Sequence, residues 1–305
     1  MCFITTRSAS CRDRAVEVIR KTLFESDTLN IGLVDSRPVS DACGDIEWQS
    51  SNVVVLPLRG VFSKHDGPGR HVVGTPSHAV FVAADTPYRI GFPGGIGDRA
   101  LALRFGDALA PEQLHGNSGS EAMAPHSLLP PGAMMLRNWL QTRLENGEAD
   151  RFEIETLGLD LLNLSLGAMR TGNAPLRSPA RAQRTRALAR VKEAVAAAPG
   201  DKWTVARLAG VANLSPFHLC HVFRQTVGTS LYDYVLHERL ACTLDAVLDR
   251  GGDLTAIALD AGFASHSHFT ARFRDFFGCT PAALRRLKTA GEVAELRKIV
   301  TARRG

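Results

Sequence analysis

No stretch of this 305-residue chain holds eighteen consecutive apolar residues, so nothing in it is long and apolar enough to be read as a membrane-crossing helix. The opening segment MCFITTRSASCRDR also lacks the apolar core of a secretory signal, and a cytoplasmic chain with reduced cysteines is the expectation. The six cysteines, Cys2, Cys11, Cys43, Cys220, Cys242 and Cys279, contain no Cys-x-x-Cys pair. A zinc-bound thiolate cluster, and the alkyl-transfer chemistry that depends on one, is therefore not expected. The histidines of the strand-rich segment, His65, His71 and His78, are scattered singly, with no His-x-His pair followed by a glutamate. Neither a metal, another cofactor nor a catalytic set is expected from them.

Acidic residues are scarce in the second half. Residues 1–170 carry a net charge of −4, whereas residues 171–305 carry +9, so the overall +5 hides a basic half joined to a mildly acidic one. A basic domain attracts phosphate, and that attraction supplies most of the sequence-independent affinity of DNA-binding proteins. Charge alone describes a solvated surface equally well; the motifs decide between the two.

Between Thr204 and Arg286 two similar patterns follow one another, TVARLAGVANLSPFHLCHVFRQTVG and TAIALDAGFASHSHFTARFRDFFG. Leu208 and Ala209 answer to Ile257 and Ala258, Ala212 to Ala261, Leu214 to Phe263, Leu219 to Phe269, Phe223 to Phe273 and Gly228 to Gly278. The register slips by one residue at the turn. Small residues at Ala209, Ala212, Ala258 and Ala261 let two helix axes approach closely. Ser215 followed by Pro216 is a helix start, and Gly228 and Gly278 are helix stops. Each pattern thus predicts a helix, a tight turn and a second helix able to lie in the major groove.

The segment from Arg184 to Lys288, with GFASHSHFTARFRDFFGCTPAALRR near its end, resembles the DNA-binding domain of AraC/XylS-type transcription regulators. That resemblance implies one long helix joining the two units, here Ser230 to Asp249, and the helical spacing of Leu231, Tyr234, Val235, Ala241, Leu244, Val247 and Leu248 predicts the same rod. Leu284 departs from the family, which often has tyrosine there.

Helix phase picks out the outward residues. With Leu219 and Phe223 inward, Phe217, His218, Cys220, His221 and Arg224 lie on outer or flanking faces; with Phe269 and Phe273 inward, the set is His266, Ser267, His268, Thr270, Ala271 and Arg274. The resemblance implies base reading by Phe217, Cys220, His221, His266, Ser267, His268 and Ala271. This set lacks the arginine and glutamine that grip guanine and adenine with two hydrogen bonds, so imidazole donors, thymine-methyl contacts and DNA shape are expected to carry the readout. His266 and His268 serve equally well as helix caps or phosphate contacts.

The first half reads as short strands, at Val53–Leu58, His71–Val73, Ala79–Ala83, Tyr88–Phe92 and Arg99–Phe105, separated by turns such as HDGPGR and PGGIGD. Such spacing predicts a small sandwich or barrel. The stretch from Ile46 to Arg104 looks like the cupin-like β-barrel effector domain of AraC-type regulators. Pro131–Asn146 and Arg151–Met169 then read as a helical hairpin. In the family such helices pack on the barrel and often make the dimer contact.

The expected architecture is α+β in two domains. Residues 1–170 form an effector-sensing and dimerisation domain, with a barrel at about 46–105 and helices at about 131–169. Residues 171–183, TGNAPLRSPARAQ, form a linker, residues 184–288 an all-α DNA-binding domain, and residues 289–305 a basic tail. The expected partners are double-stranded DNA, a second copy of the chain, a small-molecule effector and, for an activator, RNA polymerase, although no pattern marks a surface for it. Arg59, His71, His78, Tyr88, Arg89 and Arg104 are the polar strand residues available to hold the effector; alternate strand residues also face solvent. Two other readings stay open: an N-terminal domain that only dimerises or binds a protein, and a metal-cupin enzyme fused to a DNA-targeting module.

Overall fold

A computed structural model describes residues 16–40, 43–67, 71–106, 124–147, 150–170, 179–249 and 251–287. Its N-terminal part is rich in strands: β1 (Val16–Glu25), β2 (Leu29–Pro38), β3 (Asn52–Gly60), β4 (Phe62–His65), β5 (His71–Gly74), β6 (His78–Val82), β7 (Arg89–Gly91), β8 (Asp98–Phe105) and β9 (His126–Leu128). They form two antiparallel sheets, one ordered β1-β2-β8-β3-β6-β9 and the other β5-β4-β7. The β-domain therefore begins well before Ile46. Strands β1 and β2 pair along nearly their whole length, and β2 then pairs with β8. The sequence VEVIRKTLFE of β1 hides this, because charged residues leave it mostly exposed on both faces and no apolar alternation announces a strand.

The period-2 rule sorts the larger sheet into two faces. Leu29, Ile31, Leu33, Val54, Leu56, Leu58, Leu101, Leu103 and Phe105 enter one apolar cluster with the helical hairpin, α1 (Pro131–Asn146) and α2 (Arg151–Arg170). On the opposite face Val53, Val55, Ala102 and Val34 meet Val82, Tyr88 and Ile90. Gly158 lets α2 lie directly on β2, since a Cβ there would come 2.5 Å from a Leu29 methyl carbon. Helix α1 ends where Gly147 takes φ 66° and returns its N–H to the carbonyl of Arg143. It is buried nearly all round, which its sequence does not announce as a single apolar stripe.

The C-terminal part is helical: α3 (Pro179–Ala197), α4 (Val205–Ala212), α5 (Pro216–Val227), α6 (Leu231–Leu248), α7 (Leu254–Asp260), α8 (His266–Phe277) and α9 (Pro281–Arg286). Helix α3 begins at Pro179, inside the stretch read as a linker, because proline is tolerated in a first turn and Ala-Arg-Ala-Gln-Arg are good helix formers. The rest of that stretch, residues 171–178, and the basic tail lie outside the described residues. No helix among the described residues is long and apolar enough to cross a membrane.

The two parts are joined through α1. The apolar cluster beneath the larger sheet continues through Met134, Met135 and Trp139 to Leu240, Leu244 and Phe269. The fully buried Arg137 on α1 donates to the carbonyls of Pro57 and Pro76 and to Asn138 Oδ1, and Asn138 in turn donates to Asp245 on α6. Satisfying the guanidinium this fully is what makes its burial tolerable.

Candidate nucleic-acid interface

Each second helix of a unit is started and stopped by local chemistry. Ser215 Oγ accepts from His218 N–H at the start of α5, with Pro216 in the first turn, and Ser265 Oγ accepts from His268 N–H at the start of α8. Gly228 and Gly278 end the same helices at φ 82° and 85°. The turns match as well: Asn213 and Gly262 both take left-handed backbone, and Leu214 N–H and Phe263 N–H return to the carbonyls of Ala209 and Ala258. The one-residue slip is thereby located. Ala264 is an extra residue between Phe263 and the cap Ser265, and has no counterpart between Leu214 and Ser215.

Behind α5, Leu219 and Phe223 pack with Leu208, Ala209, Ala212, Val191, Val195 and Tyr234. Behind α8, Phe269, Phe273 and Phe277 pack with Ala258, Ala261, Phe263, Leu244 and Leu284. Leu284 is wholly buried, so the place where the family often carries tyrosine is apolar core here. Both units hang on α6, capped at its start by Ser230, whose Oγ accepts from Asp233 N–H, and ended at Asp249.

One residue that the sequence pattern did not single out ties the units together. Arg239, midway along α6, donates to the carbonyls of Pro199 at 2.9 Å, Gly262 at 3.0 Å and Asp201 at 2.7 Å. Pro199 and Asp201 belong to the loop before α4, and Gly262 to the turn of the second unit. That turn touches the loop directly: Gly262 has φ 80°, and a Cβ there would lie 2.4 Å from the carbonyl oxygen of Gly200. Only tertiary structure exposes this role, because three carbonyls leave no signature in a sequence.

The outward residues fall on the two second helices as helix phase predicts. Phe217, Cys220, His221 and Arg224 are exposed on α5, and His218 is half-buried. On α8, His266, Ser267, His268, Ala271 and Arg274 are exposed and Thr270 is half-buried. His268 sets its ring edge-on against Phe263 with 5.6 Å between centroids, and His266 Nε2 lies 3.4 Å from Thr270 Oγ1.

The six strand residues do not share one place. Tyr88 is buried with its hydroxyl accepting from Gln49 Nε2 at 2.8 Å, and Lys64 lies over its ring. Burial pushes its pKa up. Arg104 crosses Gly32, where an added Cβ would stand 2.8 Å from the guanidinium. Desolvation, and then the like charge of Arg20, lower the Arg104 pKa, while Tyr88 acts to raise it. Arg20 itself lies 3.6 Å from Glu47. Arg89 is exposed. Arg59, 3.8 Å from Asp35, lines a cleft of about 630 Å³ with Arg99, Arg143, Asp245 and Arg285. His71 Nε2 faces Glu193 of α3 at 3.1 Å, and His78 is buried against α3 and α6. Among the described residues no three histidine, cysteine, aspartate or glutamate side chains converge to hold a metal ion.

Two helix-turn-helix units carried on one connecting helix define a double-unit helix-turn-helix domain. Residues 208–287 match a family described as a helix-turn-helix domain. The HTH-type transcriptional regulator GlxA of Rhizobium meliloti (strain 1021) is 38% identical over 88 residues, which are 29% of this chain and 26% of that protein. A putative AraC-like transcription regulator of Streptomyces antibioticus is 32% identical over 88 residues, 29% of each chain. The bifunctional transcriptional activator/DNA repair enzyme AdaA of Bacillus subtilis (strain 168) is 26% identical over 92 residues, 30% of this chain and 44% of that one. The C-terminal region is an AraC-type helix-turn-helix domain. The match spans between about a quarter and under half of these relatives' lengths.

Proposed function

We propose that the protein is a sequence-specific DNA-binding transcription regulator of the AraC type. The observation that carries this reading is the pair of serine-capped helices on one rod, whose outer faces are exposed on the basic half of the chain. The direct experiment is selection of bound duplex from a random pool by the full-length protein at physiological salt. A recovered motif upholds the reading. Binding without any motif, lost at modest salt, refutes it.

In the finer reading the N-terminal β-domain binds a small effector, the chain pairs with a second copy, and effector binding shifts how two DNA-binding domains are presented, in the cytoplasm, to DNA and to RNA polymerase. Of the six candidate effector residues, Tyr88 and Arg104 are the two associated with one interior face, beside Ala102 and Val53. The guanidinium of Arg104, with Arg20 near it in an ion pair with Glu47, favours an anionic ligand. For pairing, α2 offers a face bearing the exposed Phe152, whereas α1 is enclosed. A rise in melting temperature with a panel of small carboxylates, lost in Arg104→Ala, supports the effector role; no response to any anion counts against it. Sedimentation as a monomer at micromolar concentration counts against pairing.

A further inference from the structure

Where β6 meets the helical domain, a directed chain of hydrogen bonds runs out of α3, through the β-domain and into α6. Lys192 Nζ on α3 lies 3.3 Å from His78 Nε2, and His78 Nδ1 lies 2.6 Å from Thr75 Oγ1. Thr75 donates to Glu238 Oε1 on α6 at 2.6 Å, and Ser77 donates to the same oxygen. A protonated lysine only donates and a carboxylate only accepts, which assigns the His78 proton to Nδ1 and gives every link one donor and one acceptor. The turn Thr75–His78 thus sits between α3 and α6, the two helices that pack behind the first reading unit.

All of these groups are withdrawn from water. Thr75, Ser77 and Glu238 are fully buried, and His78 and Lys192 nearly so. Burial keeps His78 neutral and raises the Glu238 carboxyl, and it brings Lys192 down to about 8 against the supporting charge of Glu238. The junction is not completely satisfied. Glu238 Oε2 and Tyr234 Oη are buried without a well-aligned hydrogen bond, although they lie close enough to influence each other's charge. A buried polar contact of this kind is strongly unfavourable when half made, so it favours two discrete arrangements, closed or open, over a graded one.

Two further features give the junction a role beyond adhesion. Strand β6 carries His78 at the junction and, on the same face two and four residues on, Val80 and Val82, which pack among Phe62, Phe92 and Tyr88 in the β-domain. The junction also clasps the acidic half of the chain to the basic half. An acidic body held beside a DNA reader weakens the field that draws phosphate.

We propose that this junction is an autoinhibitory latch: the Thr75–His78 turn, seated between α3 and α6, holds the net-acidic N-terminal half of the chain against the reader, and its withdrawal raises the reader's affinity for DNA. The proposal rests on the DNA-binding reading and adds the step by which the β-domain restrains it.

The test uses the full chain and a duplex recovered by selection from a random pool. Thr75→Val combined with Ser77→Ala removes both hydroxyls that donate to Glu238, and Glu238→Gln, a milder change of the same shape, serves where the double variant does not fold. The expected result is tighter DNA binding, by about 5- to 100-fold, together with faster amide exchange along β6 and α6. Faster exchange with unchanged or weaker DNA binding overturns the latch, and so do unchanged exchange and affinity in a folded variant. If the unaltered chain recovers no motif at all, the DNA-binding reading itself has failed, and that outcome is distinct because it appears before any substitution is made.

Discussion

Phe217 and His221 stand one turn apart on α5 with nearly parallel rings, 5° between planes and 6.5 Å between centroids. Phe217 is the most exposed large apolar side chain of the described residues, at 84%. An aromatic held outward at a helix start, with an imidazole behind it, offers a flat apolar surface for a thymine methyl and a donor for a base edge. Phe217→Ala and His221→Ala are each expected to relax preference at one base position, with a discrimination loss of about 1–3 kcal/mol. His266→Ala should do the same in the second unit. Repeating the selection with each variant checks this; an equal loss across all sequences would reassign the side chain to phosphate.

Arg274 lies in the last turn of α8, exposed, where its charge can reach a phosphate more readily than a base edge. Arg274→Ala is expected to weaken binding to all duplexes about equally and to reduce the slope of log affinity against log salt by about one. Titrations at several salt concentrations measure that slope directly. A narrowed or altered motif would contradict this role.

Arg239 donates to three carbonyls that span both units. Replacing it by alanine leaves those carbonyls in need of water and removes charge-assisted bonds, a cost of about 2 kcal/mol or more. Arg239→Lys keeps the charge but not the fork, so it should recover only part of the loss. Urea melts of the three proteins rank them. The same variants should tolerate more varied spacing between the two parts of a recovered DNA motif.

Proton uptake should divide the buried groups by sign. His126, beside His78, is held down to about 3 by burial and then by Lys192, and its Nδ1 is buried without a partner. An unfolded histidine takes up a proton near pH 6.5. Between pH 6.5 and 3 the unfolded chain therefore binds more protons at this site, and stability falls as pH falls through that window. Asp98 acts oppositely. Burial pushes it up to about 7, so between pH 7 and about 4 the folded chain holds the proton and this site gains stability as pH falls. Melting temperatures from pH 7.5 to 5 should fall less steeply in His126→Leu than in the unaltered protein, and more steeply in Asp98→Asn. Parallel profiles for all three would show that neither site is perturbed.

The helical half was legible because its signals are local. Ser215 with Pro216, Gly228, Ser265 and Gly278 declare their own helix ends, and the bounds of α6 fall within a residue of those expected from the spacing of its leucines and valines. The β-domain was legible only where strands are apolar, as in β3 and β8. Strand β1 is charged, β4 buries Lys64, and β9 is three residues long, so none carries an alternating pattern. Contacts between distant residues left no trace: Glu238 meets Thr75 across 163 positions, and His71 and His78 lie against α3 and α6. In the sequence Tyr88 and Arg104 are only polar residues among apolar runs; their association through Ala102, Val53 and the bare backbone of Gly32 depends on how β2, β3 and β8 pair.

Helix α6, at 18 residues, is about 27 Å long, and Arg239 pins a loop of one unit and the turn of the other to it. The two reading heads therefore cannot be adjusted independently. One base pair added between their targets carries the second target about 3.4 Å along the duplex and about 35° around it, away from a head that has no hinge to follow. Such a chain would act as a ruler as much as a reader, rejecting a correct sequence presented at the wrong helical phase.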